Sequence, residues 1–338
     1  MSTTPLKKGY TTGAHSSWAF KSALSSFILS GDLCISKTNK MDNDDLDVTK
    51  GCEIVVTITN KKEDLELNSL FQKPYILESK VATMELYAGT GVGVVTKKGL
   101  KPQKDFPAIN PKPLEALSKL FYEMYNKEEN LYASISVTDG EEIAKQTANS
   151  KVGVIGGISI LGTTGFVKPV SSSAYIDSVK TEIEFAVENE YETLYFTLGN
   201  SALEVAKKHS SEEAIIEIGN FIYDSIKIAT DLEVKEVVFL CGIGKMTKVY
   251  QGFKNTHNRF GVIDFKELKQ DIEKQLSFSV DIESTLTVKG ISQELEKHGL
   301  LEELYKMITL KANEQIKLWH KNSNVKAIIL EQKEVLGW

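Results

Sequence analysis

Apolar and polar positions alternate most regularly in the C-terminal half of the chain. From Lys151 onward, short β-branched runs are separated by stretches with helical periodicity. The runs Val152–Ile155, Leu194–Leu198 and Val237–Leu240 predict three strands joined by crossover helices, and such strands form a parallel sheet. A last run, Ala327–Leu330, predicts a further strand. Residues 150–338 are therefore predicted to form an α/β domain with a small, mostly parallel sheet of about four strands flanked by helices.

The helices of this half are predicted from the spacing of apolar residues and from capping signals. One helix is predicted near 173–189, and others near 264–276 and 290–320. The capping boxes Ser201-x-x-Glu204 and Ser210-x-x-Glu213 predict two more helix starts. The second of these helices would carry on one face Ile215, Ile218, Phe221 and Ile222.

The N-terminal half shows strands and helices without a regular βαβ rhythm. A helix is predicted from Thr11 or Thr12 to about Leu29, ended by Gly31, with His15 as a polar surface or capping residue in its first turn. Strands are expected at Glu53–Thr59, Tyr75–Met84, Val92–Thr96 and Leu131–Val137, and helices at Leu114–Asn126 and from Asp139 to near Ala148. Residues 1–149 are therefore predicted to be an α+β domain.

A glycine-rich segment, Val152–Pro169, joins the two halves. A strand, a glycine-rich loop and a following helix expose backbone N–H groups to a ligand, so we predict a cofactor there. The predicted contacts are Gly156, Gly157, Ser159, Gly162, Thr163, Thr164 and Gly165. Thr163 stands where a phosphate-binding loop has lysine, and no G-x-G-x-x-G is present. The alternative is a glycine-rich turn that only lets a strand meet a helix.

The three predicted parallel strands would place their following loops at one edge of the sheet. These loops are the glycine-rich segment, the turn Leu198–Asn200, and Gly242–Gly261. The third is basic within a chain of net charge −6, so it would attract an anionic ligand. Lys245 and His257 are its candidate catalytic residues, and Arg259 is the only arginine of the chain. A solvated loop and helix is the alternative for this segment.

Composition excludes several classes of function. The negative net charge argues against non-specific nucleic-acid binding, and no apolar run is long enough for a membrane span. No secretory signal is visible, and the scattered Cys34, Cys52 and Cys241 predict a reducing, cytoplasmic setting. No spacing of cysteine or histidine predicts a metal site.

Several motifs along the chain resemble those of CbiD-type cobalt-precorrin-5B C1-methyltransferases. They are KGYTTG at 8–13, DDLDVT at 44–49, GVGVVTK at 91–97, AINP at 108–111, the DG…GGISILGTTG run at 139–165, GIGK at 242–245 and NTH at 255–257. Ala14, His15, Thr90, Leu46 and Cys241 depart from the family's usual residues. The match runs through nearly the whole chain in the same order.

The resemblance implies methylation of ring carbon C1 of cobalt-precorrin-5B, giving cobalt-precorrin-6A, in anaerobic cobalamin biosynthesis. It implies S-adenosylmethionine as donor, with Gly199 and Asn200 added to the glycine-rich contacts, and cobalt only as part of the substrate. The implied substrate contacts are Lys8, Tyr10, Thr11, Thr12, Lys168, Lys245, Thr256, His257 and Arg259.

Two other functions remain open alongside the methyltransferase. One is a non-catalytic tetrapyrrole carrier or assembly partner, and the other is a nucleotide-dependent oxidoreductase built on the glycine-rich loop. The predicted partner is the corrinoid precursor. Nucleic acid and membrane are not expected, while self-association and transient contacts with other pathway enzymes are left open.

Overall fold

The fold is described from a computed structural model of the chain, over residues 9–42, 48–162, 165–167, 172–281 and 287–330, with the side chains of 167 and 172–174 left aside. The chain divides into two compact units, Met1–Ser172 and Ser173–Trp338. None of the helices in these ranges is both long and apolar enough to cross a bilayer.

The N-terminal unit is an α+β structure, as the sequence predicts. In chain order its elements are β1 Gly9–Tyr10, α1 Thr12–Ser30, β2 Cys34–Asn39, β3 Glu53–Thr59, β4 Tyr75–Glu78, β5 Thr83–Ala88, β6 Gly91–Val92, β7 Val94–Val95, α2 Pro111–Met124, β8 Leu131–Val137, α3 Gly140–Ala144, β9 Val154–Ile155, β10 Gly157–Ile158 and β11 Phe166–Val167.

Five of these strands form a mixed sheet in the order β2-β3-β8-β5-β4, in which only the β5–β8 pairing is parallel. The helices α1 and α2 pack against each other, and α1 also packs on β2 and β3. Alternate residues of β3 are buried, which is the period of a strand with one face on a core. That core includes Phe20, Leu24 and Phe27 of α1. Helix α1 ends where Gly31 adopts a left-handed φ of 73°.

The glycine-rich segment belongs to this unit, which corrects two predictions. Val152–Ile155 is not a strand of the C-terminal parallel sheet, because β9 pairs antiparallel with β7. The next strand, β10, pairs parallel with β6, and β11 pairs antiparallel with β1. Because these pairings fasten the segment to the N-terminal unit, the chain divides after Ser172 rather than after residue 149.

The C-terminal unit has the predicted α/β character. Its elements are α4 Ser172–Glu188, β12 Thr193–Leu198, α5 Asn200–Ala206, β13 Ile215–Glu217, α6 Ile222–Asp231, β14 Glu236–Cys241, α7 Ile243–Tyr250, α8 Phe265–Leu276, α9 Val288–Lys297, α10 Leu301–Trp319 and β15 Val325–Ile329.

Four parallel strands in the order β13-β12-β14-β15 form the sheet of this unit. Neighbouring residues of β14 point to opposite faces: Phe239 lies in the larger apolar cluster with α6, α7 and α10, and Leu240 lies in a smaller one with α5. Both faces are therefore covered, as expected for a parallel sheet. The prediction of about four mostly parallel strands flanked by helices is confirmed.

Three local predictions in this unit are wrong. Ile215–Glu217 is the edge strand β13, not a helix, because a short apolar run suits either structure and here it pairs with β12. Helix α5 starts one residue before Ser201, with Gly199 as its N-cap and no side-chain cap. The predicted helix 290–320 is two helices, since the chain turns at Gly299, where φ is 71°.

Gly91 and Gly31 allow a matched test of the close packing in the N-terminal unit. Both have left-handed φ values, of 77° and 73°, but a Cβ at Gly91 would lie 2.0 Å from the carbonyl oxygen of Val137, whereas one at Gly31 meets nothing within 4 Å. We expect Gly31→Ala to lower the free energy of unfolding by about 1–2 kcal/mol through backbone strain. Gly91→Ala should lower it by a further 1–3 kcal/mol, roughly, through overpacking.

Urea denaturation followed by circular dichroism measures both values. An equal decrease in the free energy of unfolding in the two variants would show that the backbone around Gly91 moves to accommodate a Cβ. That result would contradict the tight packing described for this strand.

Candidate functional site

Two of the three predicted loops meet at the carboxyl edge of the parallel sheet. Leu198 at the end of β12 is paired with Cys241 at the end of β14, so Gly199 and Gly242 leave the sheet side by side. Gly199 and Asn200 are exposed, and a Cβ at Gly199 would meet no atom within 4 Å. The third predicted loop, the glycine-rich segment, belongs to the other unit and does not follow a strand of this sheet.

Lys245 and Lys248 lie one turn apart on α7 and share an acceptor. The Lys245 Nζ donates to the carbonyl oxygen of Thr256 at 3.0 Å and to Asn220 Oδ1 at 2.8 Å. The Lys248 Nζ donates to the same Thr256 oxygen at 3.2 Å. The chain after α7 therefore folds back over the helix and is fastened by the two ammonium groups.

Lys248 is 5% exposed, which is unusual for a lysine. Beyond Thr256, it donates to Asn258 Oδ1 at 2.8 Å and to the carbonyl oxygen of Gly261 at 3.0 Å. An ammonium group has three N–H donors, so Lys248 uses all of them on the segment 256–261.

A cavity of about 510 Å³ lies at the start of α7. Its polar lining includes Gly242 and Gly244 and the three lysines Lys245, Lys248 and Lys289. Its apolar lining consists of Ile243, Val262, Ile263, Phe265 and Val288. Such a volume and mixture are typical of a small-molecule site. No side chain caps the start of α7, and its N-cap residue Gly242 lines the cavity.

The charge of this cavity is positive. Burial lowers the pKa of Lys245, and the neighbouring charge of Lys248 lowers it further. Burial also lowers the pKa of Lys248. Within the described ranges neither lysine has an ion-pair partner, and no acidic residue lines the cavity. An anion is therefore the complementary ligand.

His257 and Arg259 are exposed and do not join the lysine pair. His257 Nδ1 accepts from the Arg259 backbone N–H at 3.2 Å and caps a short helical turn. The Arg259 guanidinium lies 4.6 Å from the ring centre of Phe260. Thr256 is fully buried, and its hydroxyl donates to Asn220 Oδ1 at 2.8 Å. The predicted basic segment therefore has a hydrogen-bonded part around Thr256 and an exposed part at His257 and Arg259.

In the N-terminal unit, the predicted substrate residues Thr11 and Thr12 fasten the glycine-rich segment. The Thr11 hydroxyl caps α1 by accepting from Ala14 N–H at 3.2 Å. The Thr12 hydroxyl accepts from Leu161 N–H at 2.9 Å and donates to its carbonyl oxygen at 3.2 Å. Both side chains therefore have structural partners.

Most predicted donor glycines lie in close contact with protein atoms rather than open to a ligand. A Cβ at Gly156 would lie 2.4 Å from Asn68, one at Gly157 would lie 2.2 Å from the backbone of Gly91, and one at Gly162 would lie 2.1 Å from Thr11. Only Gly165, among the described glycines of this loop, has open space around it.

Of the remaining predicted donor and substrate contacts in the N-terminal unit, Ser159 is described and four others are not. The Ser159 hydroxyl bonds to Asn149 Oδ1 at 3.3 Å. The other predicted residues, Lys8, Thr163, Thr164 and Lys168, lie outside the described residues.

Comparison with known proteins gives a consistent assignment. The sequence model of the CbiD family matches residues 24–169. A cobalt-precorrin-5B C(1)-methyltransferase of Methanococcus maripaludis is 34% identical over 90% of this chain and 82% of that protein. The chain belongs to the CbiD family. Another such methyltransferase, of Clostridium perfringens, is 34% identical over 75% of this chain and 72% of that protein.

A solved structure of a CbiD cobalamin biosynthesis protein from Archaeoglobus fulgidus is 25% identical to this family member. The match covers 77% of this chain and 87% of the chain of that structure, with a TM-score of 0.34.

The departures from the family motifs fall in different surroundings. Cys241 is fully buried in the apolar cluster of the C-terminal unit, whereas Thr90 is exposed. His15 is 2% exposed, so the predicted surface position is wrong. His15 Nε2 accepts from Met41 N–H at 3.2 Å and Nδ1 lies 3.2 Å from Thr38 Oγ1. The accepting Nε2 assigns the neutral tautomer with the proton on Nδ1.

An aromatic cluster surrounds His15, and sequence periodicity did not reveal it. Trp18 lies 4.8 Å from both Tyr10 and His15, measured between ring centres, and Tyr10 lies 5.1 Å from Phe166. Trp18 and Phe166 are about half exposed. The pairing of β1 with β11 brings Tyr10 to Phe166, so only the strand register reveals the cluster.

His15 predicts a pH dependence of stability. Burial lowers its pKa from the usual 6.5, and nearby Lys40 lowers it further. As the pH falls below that usual value, the unfolded chain takes up a proton before the folded chain does. The stabilisation is therefore complete above that pH and is lost as the pH falls toward the folded pKa.

We expect His15→Gln, which stays neutral, to show a shallower loss of stability between about pH 7 and pH 5 than the unchanged chain. Urea denaturation at several pH values measures the two slopes. Parallel pH profiles would mean that His15 titrates alike in the folded and unfolded chains.

Proposed function

We propose that this CbiD family member transfers a methyl group to ring carbon C1 of cobalt-precorrin-5B, giving cobalt-precorrin-6A in anaerobic cobalamin biosynthesis. The observation that carries this proposal is the 34% identity over 90% of the chain to a cobalt-precorrin-5B C(1)-methyltransferase. S-adenosylmethionine is the proposed donor, because a methyltransferase needs a donor and this sulfonium compound is the usual one. Cobalt enters only within the substrate.

Methyl transfer from a sulfonium is an in-line displacement, so the protein contributes chiefly by aligning and desolvating the reactants. The acceptor carbon forms the new bond to the methyl group as the carbon–sulfur bond breaks, and the electron pair stays on sulfur. No covalent enzyme intermediate is required. The positive cavity at α7 is suited to the carboxylates of the acceptor.

Gly199 and Asn200, which are exposed at the carboxyl edge of the parallel sheet, stay proposed donor contacts. Gly165 of the N-terminal unit has open space around it and stays a separate prediction. Gly156, Gly157 and Gly162 have a sufficient reason for being glycine in the packing of the N-terminal unit. Tyr10, Lys245, His257 and Arg259 stay proposed substrate contacts. Lys245 and His257 stay the candidates for any proton transfer.

The alternative of a non-catalytic carrier is not favoured, since the relatives carry the name of an enzyme. A cytoplasmic location, self-association and contacts with other pathway enzymes stay predictions.

Incubation with methyl-labelled donor and cobalt-precorrin-5B tests the function. We expect the precursor to gain one labelled methyl group at C1 and the donor to become S-adenosylhomocysteine, as seen by mass spectrometry and NMR. Reactions without protein, or with unlabelled donor, provide the controls. If the protein binds the donor and the mass of the precursor stays unchanged, the enzymatic proposal fails.

Asn200 tests the donor site. We expect Asn200→Ala to weaken donor binding about threefold to tenfold, the effect of one lost hydrogen bond, and to leave precursor binding unchanged. Ser201→Ala, at an exposed neighbouring position, is the matched control. Calorimetric titration with S-adenosylhomocysteine measures the affinity. An unchanged affinity in Asn200→Ala would remove Asn200 from the donor site.

A further inference from the structure

Lys245 is a partly buried charge whose structural hydrogen bonds are all duplicated. Its first acceptor, Asn220 Oδ1, also accepts from the Thr256 hydroxyl at 2.8 Å. Its second acceptor, the Thr256 carbonyl oxygen, also accepts from Lys248 at 3.2 Å. Removal of the Lys245 ammonium would therefore leave neither acceptor without a donor.

Lys248 is different, although it lies only one turn away. Asn258 Oδ1 and the Gly261 carbonyl oxygen accept from it, and all three of its N–H groups are used. Lys248 therefore holds the segment 256–261 in place. Lys245 makes two bonds within the described ranges, so one of its N–H groups is left, and the residue lines the cavity.

Keeping a charge in a partly buried position is unfavourable unless a partner compensates it. Neither lysine has a carboxylate partner among the described residues, and the charge of Lys248 disfavours that of Lys245. Since Lys245 adds no unique structural bond, the missing compensation points to a ligand. Its chemistry follows from the cavity: an anionic group near Lys245 and an apolar body against Val262, Phe265 and Val288.

A sulfonium donor does not match this cavity well. S-adenosylmethionine carries a positive sulfur and a positive amino group against one carboxylate, and the three lysines that line the cavity would repel that net charge. A ring compound with carboxylate arms matches both the charge and the apolar wall.

We propose that the cavity at the start of α7 is a subsite for one carboxylate arm and the adjoining ring edge of the acceptor. The arm's carboxylate accepts the remaining N–H of Lys245, while Lys248 is a positioning residue that holds the loop forming one wall. The inference rests on the proposed function only for identifying the ring compound with the acceptor.

Binding of coproporphyrin III, a ring with four carboxylate arms, tests the subsite by fluorescence titration of the full chain. We expect Lys245→Met to weaken binding roughly tenfold to a hundredfold, the effect of one lost charged hydrogen bond. Lys274→Met, which removes an exposed charge from α8 of the same unit, should change binding less than about twofold. The porphyrin with its arms converted to neutral hydroxyethyl amides should bind equally weakly to the unchanged chain and to Lys245→Met.

Thermal unfolding provides a second readout that separates the two lysines. Because every acceptor of Lys245 keeps another donor, Lys245→Met should unfold at the same temperature as the unchanged chain or higher. Lys248→Met should unfold at a lower temperature, since Asn258 and Gly261 lose their donor. A large drop in unfolding temperature for Lys245→Met would show that Lys245 is structural and would overturn the proposal.

Three further outcomes distinguish this proposal from the proposed function. Unchanged porphyrin binding in Lys245→Met, with methyl transfer by the unchanged chain intact, overturns the subsite and leaves the enzyme. Loss of S-adenosylmethionine binding in Lys245→Met, with porphyrin binding retained, also overturns it, because the cavity would then hold the carboxylate of the donor. Porphyrin binding that depends on Lys245 in a chain without methyl transfer supports the subsite and defeats the enzyme.

Discussion

The packing of the N-terminal unit depends on direct backbone contact at Gly91. The backbone of Val137, at the end of β8, and of Gly140, at the start of α3, approaches Gly91. Gly157 of β10 pairs with Gly91 in a short parallel ladder. Contact of this kind leaves no volume for a Cβ, so glycine is required on both sides of the β6–β10 pairing. Through that pairing the glycine-rich segment is held on the N-terminal unit, and its loop is closed further by Thr11 and Thr12.

This constraint changes the meaning of the glycine-rich motif. Glycines after a strand commonly leave backbone free for a phosphate or a nucleotide. Here Gly156, Gly157 and Gly162 instead let protein atoms approach the backbone, and open space remains at Gly165. A motif that is highly specific for a family can therefore reflect packing as much as ligand binding. Each such glycine needs its own geometric test.

In the C-terminal unit, charge rather than close packing defines the site. Two lysines on one face of α7 share the carbonyl oxygen of Thr256, and the cavity beside them carries no compensating carboxylate among the residues described. A positive, partly apolar cavity is complementary to a ring compound that carries carboxylates. Relatives of the chain in the CbiD family are named for such a compound, cobalt-precorrin-5B. The proposed donor, S-adenosylmethionine, carries a net positive charge and is not complementary to this cavity.

The sequence by itself determined the two fold types, the family, helix α1 with its glycine end, and most strands of the parallel sheet. These features depend on local periodicity and capping, which are written in neighbouring residues. It also predicted the position of Lys245, because a lysine after a buried strand and a glycine turn lies at the carboxyl edge of a parallel sheet.

Only the tertiary structure decided where Val154–Ile155 pairs, whether Ile215–Glu217 is a strand or a helix, and that His15 is buried. It also decided that, among the residues described, Lys248 uses three N–H groups on protein acceptors and Lys245 uses two. Each of these depends on a partner distant in sequence: β7 for β9, β12 for β13, Met41 for His15, and Asn220 or Gly261 for the lysines. Local pattern carries no information about which distant group fills a given space or accepts a given hydrogen bond.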